Sequence, residues 1–112
     1  PVSAAASKPA SAVMAINAAS MALQNTLGMI CDPVAGRVEV PCLGKNVMAA
    51  LNALAAANMT IAGYDHVIPL GEVLKAMKQV GADMKHEYRC TCKGGLSISP
   101  ASERMHKDLS GS

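Results

Sequence analysis

Apolar side chains recur at helical spacing in three segments, from about Pro9 to Asn25, from about Lys45 to Ala62 and from about Leu70 to Met84. Spacings of three, four and seven residues place such side chains on one face of a helix. In chain order, the predicted buried stripes are Val13, Ile16, Leu23 and Leu27, then Val47, Leu51, Leu54 and Ile61, and then Val73, Met77, Val80 and Met84. The pattern predicts three amphipathic helices.

Local signals predict where these helices begin and end. Ser7 or Ser11 is expected to cap the first helix, and Pro9 suits its first turn. Gly28 and Gly63 are expected to follow the first and second helices as stops.

Two stretches lack helical periodicity. Prolines and glycines interrupt residues 29–44 at short intervals, which predicts a structured loop. Within it, residues 37–40 alternate polar and apolar and predict a short extended piece. After His86 the sequence predicts loop, and residues 104–109 are too few to assign.

Composition narrows the fold class. The chain is 51% hydrophobic and rich in Ala, with eight Met, two Tyr and no Phe or Trp. Ala, Leu and Met favour helices. We therefore expect an all-α fold, a small Ala-rich bundle of about three main helices, as a single domain over residues 1–112. The uncharged stretch 47–64 contains Asn52 and Asn58, so a buried core helix explains it better than a membrane span.

The charge pattern excludes one class of partner. A net charge of +2 without a basic run, together with so few aromatic side chains, argues against nucleic-acid binding.

Four cysteines, at positions 31, 42, 90 and 92, carry the chemistry. Without a secretory signal pattern, we expect a reducing cytoplasm, where clustered cysteines more often bind metal or do redox chemistry. Cys31 and Cys42 flank the Pro/Gly-rich loop, which can hold two soft ligands at fixed positions. Their spacing matches neither a zinc knuckle nor a ferredoxin pattern. From spacing alone, both can also be small buried hydrophobic residues.

The segment LGMICDPVAGRVEVPCLGKN, residues 27–46, closely resembles a segment of the iron–sulfur-dependent bacterial L-serine dehydratases that reads LGLxCDPVxGxVxxPCxxRN. Looser similarity extends over about residues 15–98. It includes an NAAxxAL-like helix near Asn17, an Ala/Asn-rich helix at 49–57 and Val80-Gly81. It ends at RCTCKGGL, where the family has RETxxGGL.

The resemblance implies a specific chemistry. In this family, three cysteines hold a [4Fe-4S] cluster whose open iron acts as a Lewis acid on the β-hydroxyl of L-serine, giving pyruvate and ammonia without pyridoxal phosphate. By position, Cys31 and Cys42 become two of the three ligands, and the third is expected upstream of Pro1. The general base stays unassigned. The chain is thus expected to be a C-terminal fragment of the alpha chain or catalytic domain, inactive alone and without its cluster.

The same resemblance suggests partners and further site residues. Lys45 and Asn46 occupy the place of the family's Arg-Asn and are expected to bind the substrate carboxylate, with helix capping by Asn46 as the alternative. Expected partners are L-serine, the rest of the enzyme (an N-terminal α/β domain or a beta subunit) and further copies of the chain. No nucleic acid or membrane is expected. The predicted setting is amino-acid catabolism and gluconeogenesis in the cytoplasm.

Other readings remain open. The four cysteines are also compatible with a small metal-binding or redox module, and the apolar helix faces with an assembly piece that has no activity. Cys90 and Cys92 depart from the family pattern. Contact with the metal, a disulfide with each other and no role at all are open for them, and they are interpreted as incidental loop thiols. His66 is predicted to be a surface or satisfied histidine. Asp32 is predicted to form an Asx turn before Pro33.

Overall fold

The computed structural model describes residues 11–111, which contain four α-helices and no β-sheet. The helices are α1 (Ala12–Gln24), α2 (Cys42–Ile61), α3 (Leu70–Asp83) and α4 (Pro100–Gly111). Two 3₁₀ helices, His86–Tyr88 and Gly95–Ile98, lie between α3 and α4. The predicted all-α class is confirmed.

The predicted cap of the first helix and the predicted stop of the second are confirmed. The Ser11 hydroxyl caps α1 by accepting a hydrogen bond from the Met14 N–H at 3.2 Å. Ser7 and Pro9 lie outside the described residues. Gly63 follows α2 with a φ of +92°, a left-handed conformation that glycine adopts at little cost.

Helix α4 was not predicted. Ser99 starts it, because its hydroxyl accepts a hydrogen bond from Ser102 N–H and its carbonyl one from Glu103 N–H. Pro100 is the first helical residue, where its missing N–H costs nothing. The Ser-Pro pair with an acidic residue in the first turn was the available signal.

The loop before α2 also differs from expectation. Helix α2 begins at Cys42 rather than near Lys45. The predicted extended piece at 37–40 is wrong, because Arg37 makes only an isolated bridge with Val34 and the chain then turns. The Val40 carbonyl accepts from the Val34 N–H at 2.8 Å, which closes that turn; the Val40–Pro41 peptide is cis.

The described residues fall into two compact units. The first comprises residues 11–27 and Ala49–Val80. Polar side chains connect its helices and links: the Ser20 hydroxyl donates to the Ile68 carbonyl, and Asn52 Nδ2 donates to the Ala22 carbonyl at 2.9 Å. Gln24 Nε2 donates to the His66 carbonyl at 2.7 Å. The His66 ring is half-buried and 3.8 Å from the Asp65 carboxylate.

The predicted apolar stripes are not buried as expected. Among the stripe residues, Val73 alone is fully buried, whereas Val13 is 65% exposed and Leu51 is 63% exposed. In α2 the one buried residue is Ala56, so the prediction of a buried core helix is wrong for this chain. The reason is that α1 and α2 face each other through small side chains. These enclose an apolar recess of about 360 Å³ lined mainly by Ala15, Ala18, Ala19, Ala22, Ala53 and Ala57.

Within the described part of the chain, no helix is both long and apolar enough to span a membrane.

Candidate cysteine site

The second unit comprises Gly28–Met48 and residues 81–111, and it contains all four cysteines. Cys31 is fixed by its backbone. Its N–H donates to the Tyr88 carbonyl at 2.9 Å, and its carbonyl accepts from the Cys90 N–H at 3.1 Å. These bonds make a short parallel bridge between Cys31 and Arg89. A segment near the end of the chain therefore holds Cys31 in position.

The Cys31 thiol has charged and sulfur-containing neighbours. A hydrogen bond with the Cys90 side chain, together with burial and electrostatic repulsion from the neighbouring Cys90 and Cys42 side chains, raises the pKa of the Cys31 thiol to about 11. The Lys45 ammonium opposes this shift. Cys31 is half-buried, so these groups interact across a partly desolvated space. A bound cation would reverse this preference, because metal coordination favours the thiolate.

Cys42 is the first residue of α2 and is half-buried. The first N–H groups of a helix have no partner within the helix, and the helix dipole favours negative charge there. A thiolate ligand suits this position.

Asp32 is the polar centre of the unit. It is 3% exposed, and its carboxylate accepts from Lys45 Nζ at 2.7 Å and from the Leu96 N–H at 2.8 Å. Burial would raise the pKa of the Asp32 carboxyl, but the bonds from Leu96 and Lys45 outweigh it and hold that pKa below its usual value. The predicted Asx turn is therefore corrected: Asp32 does orient a backbone N–H, but the main one belongs to a distant loop.

Gly94 and Gly95 permit this arrangement. A Cβ added at Gly95, whose φ is +61°, would lie 2.5 Å from Asp32 Oδ2. A Cβ added at Gly94 would lie 2.8 Å from the backbone oxygen of Glu87. Both distances are well below van der Waals contact, so the glycine pair is needed for the loop to reach the carboxylate.

Arg89 closes the end of α3. Its Nε donates to the Met84 carbonyl at 2.8 Å, and its Nη2 donates to the Ala82 carbonyl at 2.6 Å. Cationic donors at a helix C-terminus satisfy carbonyls that lack an intrahelical partner. Arg89 thus fixes the segment that makes the isolated bridge to Cys31.

The two predicted substrate-binding residues occupy different environments. Lys45 Nζ is engaged with Asp32 and with the Ile30 carbonyl at 2.7 Å. Asn46 is exposed inside α2. Because α2 already begins at Cys42, Asn46 is not its N-cap, and that alternative is wrong.

The candidate metal donors are the two predicted thiol ligands, Cys31 and Cys42, and one neighbouring thiol that was not predicted, Cys90. Within residues 11–111, no three His, Cys, Asp or Glu side chains converge closely enough to hold a metal ion by themselves. Cys31 and Cys42 lie in one unit, are soft donors and are half-buried, which fits part of an iron–sulfur ligand set. Sequence reasoning missed the proximity of Cys90 to Cys31, because it depends on pairing between segments almost 60 residues apart.

Comparisons with known proteins identify the family of this chain. The profile of the family described as "Serine dehydratase alpha chain" matches residues 3–97. The chain belongs to the serine dehydratase alpha-chain family. It is 45% identical over 94 residues to a probable L-serine dehydratase alpha chain of Bacillus subtilis (strain 168), covering 84% of this chain and 31% of that protein.

Two other relatives agree. The L-serine dehydratase alpha chain of Peptoniphilus asaccharolyticus is 38% identical over 95 residues, covering 85% of this chain and 32% of the relative. The L-serine dehydratase of Streptomyces coelicolor (strain ATCC BAA-471 / A3(2) / M145) is 44% identical over 84 residues, covering 74% of this chain and 18% of the relative. The chain thus spans about a third or less of the length of these proteins. No solved structure matches it.

Proposed function

We propose that this chain supplies part of the active site of an L-serine dehydratase, which converts L-serine to pyruvate and ammonia, and that Cys31 and Cys42 are two ligands of its [4Fe-4S] cluster. The observation that carries the proposal is the pair of half-buried thiols in one unit, on a loop whose sequence follows the family motif. When bound, such a cluster supplies a Lewis-acidic iron.

The residues of the chain prepare the site for that cluster. The bonds from Cys31 to Tyr88 and Cys90 fix one ligand, and the start of α2 fixes the other. The Asp32–Lys45 pair, at 2.7 Å, ties the loop after Cys31 to the helix that begins with Cys42. The separation of the two thiols is therefore set before the cluster binds.

Lys45 and Asn46 remain the proposed substrate-binding residues. An ammonium group has three donors. Within the described residues, Lys45 Nζ uses donors toward Asp32 and the Ile30 carbonyl, which leaves a third for the carboxylate of L-serine. Asn46 is exposed on the next position of α2, where its amide can donate to the same carboxylate.

The proposal includes partners. Large apolar side chains along α2, among them Leu51 and Leu54, are more than half exposed. We assign this face to the remainder of the enzyme, which supplies the third cysteine ligand, and we expect the assembled enzyme to be a cytoplasmic homo-oligomer. A clean monomer of the natural protein at high concentration would contradict the last expectation.

The test is cluster loading of the longest natural protein that contains these residues. Anaerobic reconstitution should give a brown protein that holds iron and acid-labile sulfide and forms pyruvate from L-serine. The variants Cys31→Ala and Cys42→Ala should each lose most of the iron, whereas Cys92→Ala should keep it. A protein that binds no iron, or one whose iron content ignores Cys31 and Cys42, overturns the proposal.

A second measurement separates substrate binding from cluster binding. Asn46→Ala should raise KM for L-serine about tenfold, the effect of one hydrogen bond to a charged group, with iron content unchanged. Asn58→Ala, an exposed asparagine on the same helix, is the control and should change neither quantity.

A further inference from the structure

Cys90 lies beside the proposed ligand Cys31, although it stands where the family motif has glutamate. The Cys90 N–H donates to the Cys31 carbonyl at 3.1 Å, next to the Cys31–Arg89 bridge. Paired segments of this kind lie about 4.8 Å apart. Cys90 follows Arg89, the bridge partner of Cys31, so the backbone places the two cysteines on adjacent segments, one position out of register.

The two side chains meet as well. The side chain of Cys90 lies within hydrogen-bonding reach of the Cys31 thiol. Cys90 has a φ of +64°, a conformation that costs a non-glycine residue energy and is retained where surrounding structure imposes it. Here the imposing contacts are the bridge to Cys31 and the capping of α3 by Arg89.

Accessibility differs between the two thiols. Cys90 is exposed, whereas Cys31 is half-buried. Cys92, also exposed, lines a separate cleft with Pro33, Ser97 and His106. A small oxidant therefore reaches Cys90 first, and the neighbouring thiol is that of Cys31.

We propose that Cys31 and Cys90 form a reversible disulfide when the protein lacks its cluster. The exposed Cys90 thiol gives up its proton, and its sulfur attacks one sulfur of a low-molecular-weight disulfide such as oxidised glutathione, giving a mixed disulfide and one released thiol. The Cys31 sulfur then displaces the second glutathione and closes the Cys31–Cys90 bond. The two protons of the protein thiols end on the two released glutathione molecules, so the protein is oxidised by two electrons and the small disulfide is reduced by two.

The bond would matter because a disulfide sulfur is not a thiolate ligand. Oxidation would remove Cys31 from the cluster site and protect it from irreversible oxidation until reduction restores it. This consequence rests on the proposed function, whereas formation of the disulfide does not.

The experiment uses the longest natural protein containing these residues, purified without iron under anaerobic conditions and then treated with oxidised glutathione. Mapping of peptides by mass spectrometry without reduction should find Cys31 and Cys90 cross-linked, with the loss of two free thiols per chain. Cys90→Ser should abolish that cross-link, and Cys92→Ser, the matched control, should leave it intact. A Cys90–Cys92 or Cys31–Cys42 bond instead, or stable glutathione adducts on Cys90, overturns the inference.

Iron uptake then distinguishes the two proposals. The oxidised protein should take up little iron until dithiothreitol is added, while Cys90→Ser should load equally before and after oxidation. Normal loading without any Cys31–Cys90 cross-link overturns the disulfide and leaves the cluster proposal standing. A mapped Cys31–Cys90 cross-link in a protein that never binds iron overturns the cluster proposal and supports the disulfide.

Discussion

Gly95→Ala probes the contact on which the cysteine unit depends. The new Cβ would lie 2.5 Å from Asp32 Oδ2 and 2.7 Å from the Asp32 Cβ, so rotating the carboxylate alone does not relieve the clash. Displacing Asp32 breaks its bonds to Leu96 and Lys45. Breaking a buried ion pair costs about 3–5 kcal/mol, and the left-handed conformation of the alanine adds about 1–2 kcal/mol.

Gly36→Ala is the matched control. Gly36 also has a positive φ, +70°, but an added Cβ there meets nothing within 4 Å. This variant should show only the conformational cost of about 1–2 kcal/mol. The difference between the two variants, about 3 kcal/mol or more, therefore isolates the loss of the Asp32 contacts.

Hydrogen exchange measured by mass spectrometry on the natural protein provides the local readout. Amides of Gly28–Met48 and of the loop at Leu96 should exchange far faster in Gly95→Ala than in Gly36→Ala, because local unfolding of this unit then requires less free energy. Equal exchange in the two variants would refute the reasoning, since it would mean that the close approach of Gly95 to Asp32 does not stabilise the unit.

Asp32, Asn52 and Ser102 give three further predictions. The pKa of Asp32 is lowered in the folded state. The contribution of Asp32 to stability should therefore be complete above its unfolded pKa of about 3.9 and be lost as the pH falls through the lower folded pKa. The free energy of unfolding in urea, measured at a series of acidic pH values, should depend less steeply on pH in Asp32→Asn. Asn52→Ala should destabilise the first unit by about 1–2 kcal/mol in thermal unfolding, whereas exposed Asn58→Ala should change little. Ser102→Ala should lower the free energy of unfolding by about 1–3 kcal/mol, because it leaves the Ala35 N–H without its acceptor. Recovery of that stability in Ser102→Thr, which keeps the hydroxyl, would support this cause.

The cysteine loop and its flanking helices form a scaffold whose parts have distinct structural roles. Arg89 closes α3 and so fixes the segment that pairs with Cys31. Lys45 links the Cys31 loop to the first turns of α2 through Asp32. Residues of the family motif that look unrelated along the chain therefore position one another.

The sequence by itself determined the helical class, most helix boundaries and the family. Ala-rich composition and 3.6-residue periodicity are local properties, and capping by Ser11 depends only on the next three residues. The dense motif around Cys31 and Cys42 identified the family for the same reason. Helix α4 was predictable in principle from Ser99-Pro100, since that signal is also local.

Tertiary structure alone decided which side chains are buried and which thiols meet. Periodicity identifies the apolar face of a helix but not which element covers that face. In α2, Leu51 is exposed whereas Ala56 is buried. The contacts of Asp32 with Leu96 and of Cys31 with Cys90 join segments about 60 residues apart along the chain. No local pattern encodes such pairs, because they depend on how the loop after α3 returns to the loop before α2.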